Sequence, residues 1–195
     1  MDKFNPFIDF KLHEPVDNKI IEKYSSILPP EMIDFWKQYG FGTFAKGFLK
    51  SINPEEYQEL LDEAYISKSK FIPVFATALG DILVVKEFFY SDGERYLDIY
   101  IIHYRYGIDS IVRGVENFFS DVIFDLDSYM FSFYWDSYIE AVKEYGIIPQ
   151  YNQCYGYVPL LGLGGNENVG NMQIVKTKEH IMLITEMLGA IQSRS

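Results

Sequence analysis

At 195 residues with 48% apolar side chains, the chain is long enough to bury a sizeable core, and this composition speaks against disorder. Its 28 acids against 17 Lys and Arg give a net charge of -11, which argues against nucleic acid as a direct ligand, because phosphates need a basic footprint, and suits a basic protein as partner. No apolar run reaches the ~20 residues of a membrane-spanning helix, Met1 to Pro6 lack the basic and apolar regions of a signal peptide, and the single Cys154 rules out an internal disulfide, so a cytoplasmic protein without membrane contact is expected.

From Val16 to Tyr39 the pattern gives two helices interrupted by Pro29-Pro30, the second burying Met32, Ile33, Phe35, Trp36 and Tyr39 at helical spacing. Gly40 and Gly42 stop it. Thr43 to Ser51 reads as strand, and Asn53-Pro54 opens a helix of roughly ten residues with Leu60-Leu61 facing inward and Glu56 placed to complete a capping box. Three strands follow, Phe71 to Thr77, Ile82 to Phe89 and Tyr96 to Tyr104. The short turns Leu79-Gly80-Asp81 and Ser91-Asp92-Gly93-Glu94 make them an antiparallel meander. In the third strand Leu97, Ile99 and Ile101 alternate with Tyr96, Asp98, Tyr100 and Ile102. One face is therefore apolar, and the other, aromatic with one acid, awaits a helix or a partner.

Helical pattern returns from Val112 to Phe124 and from Trp135 to Tyr145, the latter ended by Gly146. The run Phe124 to Tyr134 between them is too aromatic for a solvated linker. An aromatic loop, Tyr151 to Tyr157, leads through Leu160-Leu161 and the glycine turn Gly162 to Gly165 to a strand, Met172 to Val175, and a last helix, Thr177 to Leu188. The fold class expected is α/β (α+β): a central, mostly antiparallel sheet flanked by helices.

No catalytic constellation emerges. His13, His103 and His180 lie in different elements without zinc spacing, and Cys154 stands in no nucleophile motif. Gly162-Leu163-Gly164-Gly165 lacks both the Lys-Ser/Thr of a phosphate loop and the strand-to-helix context of a dinucleotide fingerprint. Neither a metal nor a cofactor is expected. The residues singled out for binding a partner are the acids around one hairpin, Glu87, Asp92, Glu94 and Asp98; Tyr104 beside Arg105; Tyr151 and Tyr155 of the aromatic loop; and Glu167 at an exposed tip. For the acids the competing explanation is a solvated edge, and for the tyrosines it is core packing.

Two blocks carry a family resemblance. Phe35-Trp36-Lys37-Gln38-Tyr39-Gly40-Phe41-Gly42, running on to Ile52-Asn53-Pro54-Glu55-Glu56-Tyr57, together with Ile72-Pro73-Val74-Phe75 and Leu79-Gly80-Asp81-Ile82, resembles the GAD-like domain. Cys154-Tyr155-Gly156-Tyr157-Val158-Pro159-Leu160-Leu161-Gly162, followed by Val169-Gly170-Asn171-Met172-Gln173-Ile174-Val175, resembles the C-terminal region of immunity proteins paired with type VI secretion DNase effectors. Related domains resemble the broader SUKH group of bacterial toxin immunity proteins. The resemblance implies a SUKH-like fold with a GAD-like region over 1–110 and an immunity-protein region over 111–195, joined in one compact unit. It also implies a non-enzymatic function, inhibition of a cognate protein toxin, a basic nuclease domain, by binding. From the residues alone, a small-molecule enzyme with an aromatic, acidic pocket and a housekeeping interaction module both remain open.

Overall fold

Strands that alternate apolar residues on two faces build the centre of the protein, and helices with one apolar stripe close over both faces. The computed structural model describes residues 5–194, without the side chains of residues 130 and 131. The signal-peptide reading of Met1 to Phe4 and the packing expected of Met130 and Phe131 lie outside what is described. In chain order the elements are β1 (Lys11–Glu14), α1 (Asn18–Tyr24), α2 (Pro30–Tyr39), β2 (Phe41–Phe44), β3 (Leu49–Ser51), α3 (Pro54–Ala64), β4 (Tyr65–Ile66), β5 (Phe71–Thr77), β6 (Ile82–Phe89) and β7 (Arg95–His103). There follow β8 (Ile108–Gly114), α4 (Val115–Ser120), α5 (Met130–Phe133), α6 (Trp135–Tyr145), β9 (Gln153–Tyr157), β10 (Met172–Lys176), α7 (Thr177–Leu188) and β11 (Ile191–Gln192).

Seven strands form one sheet in the order β1-β2-β3-β5-β6-β7-β8, with every neighbouring pair antiparallel. Two small sheets stand beside it, β9 antiparallel to β10 and β11 parallel to β4. The first core fills one face of the large sheet. There α1, α2, α4 and α6 bring Tyr24, Met32, Phe35, Trp36, Phe118 and Tyr138 onto Leu83, Val85, Ile99 and Ile101. Phe35 is a hub of this core, with Phe44, Phe75 and Phe119 rings each 5.6 Å away. The second core lies on the other face. Tyr57 and Leu61 of α3 and Ile181 and Ile184 of α7 cover Ala76, Ile82, Val84 and Ile102.

Local chemistry explains the helix starts. Asp17 and Asn53 accept the backbone N–H groups of Lys19 and Glu55 at 2.7 and 3.1 Å, and Pro30 and Pro54 occupy first-turn positions where their missing N–H costs nothing. Glu56, expected to complete a capping box, instead pairs with Lys178 of α7 at 2.9 Å.

Three further expectations are corrected. Thr43 to Ser51 is two strands, because Ala45, Lys46 and Gly47 all take positive φ and turn the chain back as a hairpin. The helix expected from Val112 begins only at Val115, since Ile108–Gly114 pairs with β7 as the sheet's edge strand. The aromatic loop Tyr151 to Tyr157 is largely β9, ordered by its pairing with β10. Gly156 is required there: a Cβ would stand 2.5 Å from Nε2 of the buried His180. At Gly165 a Cβ would meet the Pro159 carbonyl at 2.1 Å, so the glycine turn is explained by a close backbone crossing.

Candidate partner-binding surface

The β6–β7 hairpin carries half of the sequence-selected residues, and its register decides where each of these points. Glu87 faces Leu97, Phe88 faces Tyr96, and Phe89 faces Arg95; residues 90–94 close the turn. The turn is held by Tyr90 N–H to Glu94 O at 2.8 Å and by the Asp92 carboxylate accepting Glu94 N–H at 3.0 Å. Gly93, at φ 88°, supplies the left-handed residue.

The four hairpin acids do not share a face. Glu87 lies on the first-core side, where it is ion-paired with Arg95, and Arg95 also donates to the Ile27 carbonyl after α1. These two residues, with Tyr24, Lys70 and Leu97, border an open groove of about 720 Å³. Asp92 and Glu94 are exposed at the tip. Asp98 lies on the opposite face, half-buried between Tyr96 and Tyr100, and burial raises its carboxyl above the ordinary range.

The remaining residues lie elsewhere. Tyr104, 2% exposed, is part of the second core, and Tyr155, also 2% exposed, packs in the first and donates its hydroxyl to the Ile147 carbonyl. Both were expected to meet a partner; in the folded protein neither presents its ring to solvent. Tyr151 is half-buried, stacked on His13 at 4.0 Å and donating to the Ser51 carbonyl at 3.0 Å. Glu167 is exposed and accepts the Tyr106 hydroxyl.

Two buried polar clusters escaped the sequence reading. In one, Arg105 Nη1 reaches both carboxylate oxygens of Asp81 at 2.7 Å, and His103 Nδ1 stands 3.2 Å from the same carboxylate. Burial alone would raise the Asp81 carboxyl, but Arg105 and His103 outweigh it and hold it below the ordinary range. The three side chains are at most 6% exposed, which closes this His–Asp pair to a substrate. In the other cluster, Asp109 accepts Lys86 Nζ at 3.0 Å, the Tyr65 hydroxyl at 2.5 Å, the Ser193 hydroxyl at 2.9 Å and the Arg194 N–H at 3.0 Å. The inward-pointing charges within strand patterns, Lys86 in particular, were the available signal.

Among the described residues no three His, Cys, Asp or Glu side chains converge to hold a metal, and no helix is long and apolar enough to cross a membrane. What the geometry offers is an α+β scaffold whose two buried polar clusters are closed and whose β6–β7 hairpin carries accessible aromatic and acidic groups. That places the chain among the α+β proteins built on a large antiparallel sheet. Residues 4–100 match the family model of the GAD-like domain, and residues 113–188 match that of the C-terminal domain of the T6SS immunity protein Tdi1. The chain thus carries a GAD-like domain followed by the C-terminal domain of a type VI secretion system (T6SS) immunity protein of the Tdi1 type. The fold is also similar to the crystal structure of Atu4351 from Agrobacterium tumefaciens, with a TM-score of 0.67 and 20% identity over 92% of this chain and 86% of that one. No curated protein matches the chain.

Proposed function

We propose that this chain neutralises a toxin delivered by a type VI secretion system, binding the toxin's active domain in the cytoplasm and obstructing its substrate site. The observation that carries this reading is the match of residues 113–188 to the Tdi1 C-terminal domain. We take the toxin to be a nuclease. An enzyme that grips nucleic acid needs a basic surface, and a partner with net charge -11 is suited to occupy one.

Inhibition by contact needs no chemistry from the inhibitor, only a surface that excludes substrate. The test is co-expression in a sensitive host with the active domain of each candidate type VI effector from the same genome, genes adjacent to this chain's first. Restored growth and a stoichiometric complex recovered through a tag on this chain are expected. Growth arrest in cells that accumulate the folded chain would overturn the pairing.

A further inference from the structure

The second-core face of the large sheet is only partly covered. Towards one end α3 and α7 bury Val84 and Ile102 completely. Further along, the Lys86–Asp109 cluster and the C-terminal segment through Ser193 close the next step. Beyond that, the face opens to solvent towards Tyr90, 56% exposed, and at the edge strand beside Tyr100 Ile111 is 53% exposed.

The open part is organised. Tyr90 stacks on Tyr96 at 4.3 Å, Tyr96 stacks on Phe88 at 5.4 Å, and Phe88 meets Tyr100 at 5.8 Å, forming a ladder of four rings across β6 and β7. Asp98 lies on the same face, between Tyr96 and Tyr100 along its strand and opposite Lys86 in the pairing. Among the described residues no cationic side chain pairs with it, and desolvation is the cause that shifts its carboxyl. Gly114, opposite it on β8, leaves the carboxylate uncrowded, since even a Cβ there would stay 3.7 Å from Asp98 Oδ1. Beside Asp98 the protein shows how this face accommodates a cation: Lys86 turns inward, its Nζ 4.1 Å from the Tyr100 ring centroid while pairing with Asp109 at 3.0 Å.

We infer that the open face formed by Phe88, Tyr90, Tyr96, Asp98, Tyr100 and Ile111 is where a basic element of the toxin docks, an arginine or lysine lying over the rings and pairing with Asp98. The inference rests on the immunity reading above. Charge complementarity selects this occupant: the rings provide apolar area and ring faces for a cation, Asp98 provides the counter-charge, and Asp92 and Glu94 add negative charge at the rim. A second copy of this chain, itself strongly acidic, would bring like charge to the same rim.

The test measures binding by calorimetry to the candidate toxin domain of the co-expression test, silenced by a substitution in its own active site. Tyr96→Ala and Asp98→Lys should weaken binding at least ~30-fold, and Asp98→Asn about tenfold, as expected for central contacts. Met187→Ala, at an exposed position on α7, should stay within about twofold of the unsubstituted chain, as surface residues outside an interface do. Tyr90→Ala is the variant least able to disturb the fold, and its binding decides the matter should Tyr96→Ala melt early. Tight binding by the unsubstituted chain together with undiminished binding by Tyr90→Ala and Asp98→Lys would overturn this docking site and leave the immunity reading standing. No binding by the unsubstituted chain would remove both.

Discussion

Lys50 sits on β3 with its side chain closed off from solvent, and its ammonium donates to the carbonyls of Gln150, at 2.9 Å, and Gln153. Burial lowers its pKa from 10.5 to about 8, so near neutral pH the protein holds a charged lysine at a cost. Between about pH 8 and 10.5 the unfolded chain binds this proton and the folded chain does not, so the contribution of Lys50 to stability rises with pH across that window. Urea unfolding should show this as a difference: the gap in stability between the wild-type chain and Lys50→Met shifts towards the wild type from pH 8 to 10.5, and a constant gap would refute it. Comparison with Lys50→Met matters because burial raises the Cys154 thiol to about 11, which lowers stability as pH rises through much of the same range. Arg105 poses the complementary case. Its loss in Arg105→Met leaves Asp81 buried without its guanidinium partner, only the His103 ring remaining beside it, and breaking such a pair costs about 3 to 5 kcal/mol, readable as a shift of the urea midpoint. Because the Asp81 carboxyl is held below its ordinary range, its stabilising contribution is present at neutral pH and lost as acid protonates it.

At the level of elements, the C-terminal residues act as a strap. Ile191, 5% exposed, pairs with Tyr65 of β4, and the next residues reach Asp109 through the Ser193 hydroxyl and the Arg194 N–H. Deleting the chain from Ile191 onward removes one buried aliphatic side chain and hydrogen bonds to a charged carboxylate, a loss of about 3 kcal/mol or more. Hydrogen exchange in β8, which carries Asp109, should quicken; unchanged exchange there would mean that the strap supports nothing. This strap was illegible in the sequence because β4 and β11 are two residues each, paired across more than a hundred positions, with no periodicity of their own. The meander β5–β7 and helices α6 and α7 were legible, since their periods agree with their pairing or packing. β8 was concealed because Val112 to Phe124 continues the apolar pattern past Gly114, where strand becomes helix. β9 was concealed because its aromatics, Cys154 and Gly156 resemble a loop until β10 supplies the partner. The hairpin that carries the acids Glu87, Asp92, Glu94 and Asp98 was legible from its turn. Their division between two faces depends on the cross-strand register, which places Glu87 beside Arg95 and Asp98 among the rings.

In the whole molecule, the segments matching the two families are joined by buried contacts. Tyr155 N–H bonds the Ala78 carbonyl at 2.8 Å, the Tyr138 hydroxyl donates to the Lys46 carbonyl at 2.6 Å, and the first core draws residues from both segments. We therefore expect one cooperative unfolding transition, with fluorescence and far-UV circular dichroism coincident; two separated transitions would show that the segments fold apart. The net charge of -11 acts at longer range. If the toxin's active domain is basic, the field of this chain steers encounter, and screening within a Debye length of about 10 Å at 0.1 M salt removes that help. Raising sodium chloride from 50 to 500 mM should slow association by roughly tenfold or more, because long-range attraction governs the encounter rate. Dissociation should change much less, because the rings and the Asp98 contact act at short range after water has been displaced. Stopped-flow association and a displacement measurement of dissociation separate the two. An association rate indifferent to salt would mean that the acidic surface serves solubility rather than capture, and a dissociation rate that carried the salt effect would place the decisive charge pairs at the solvated rim.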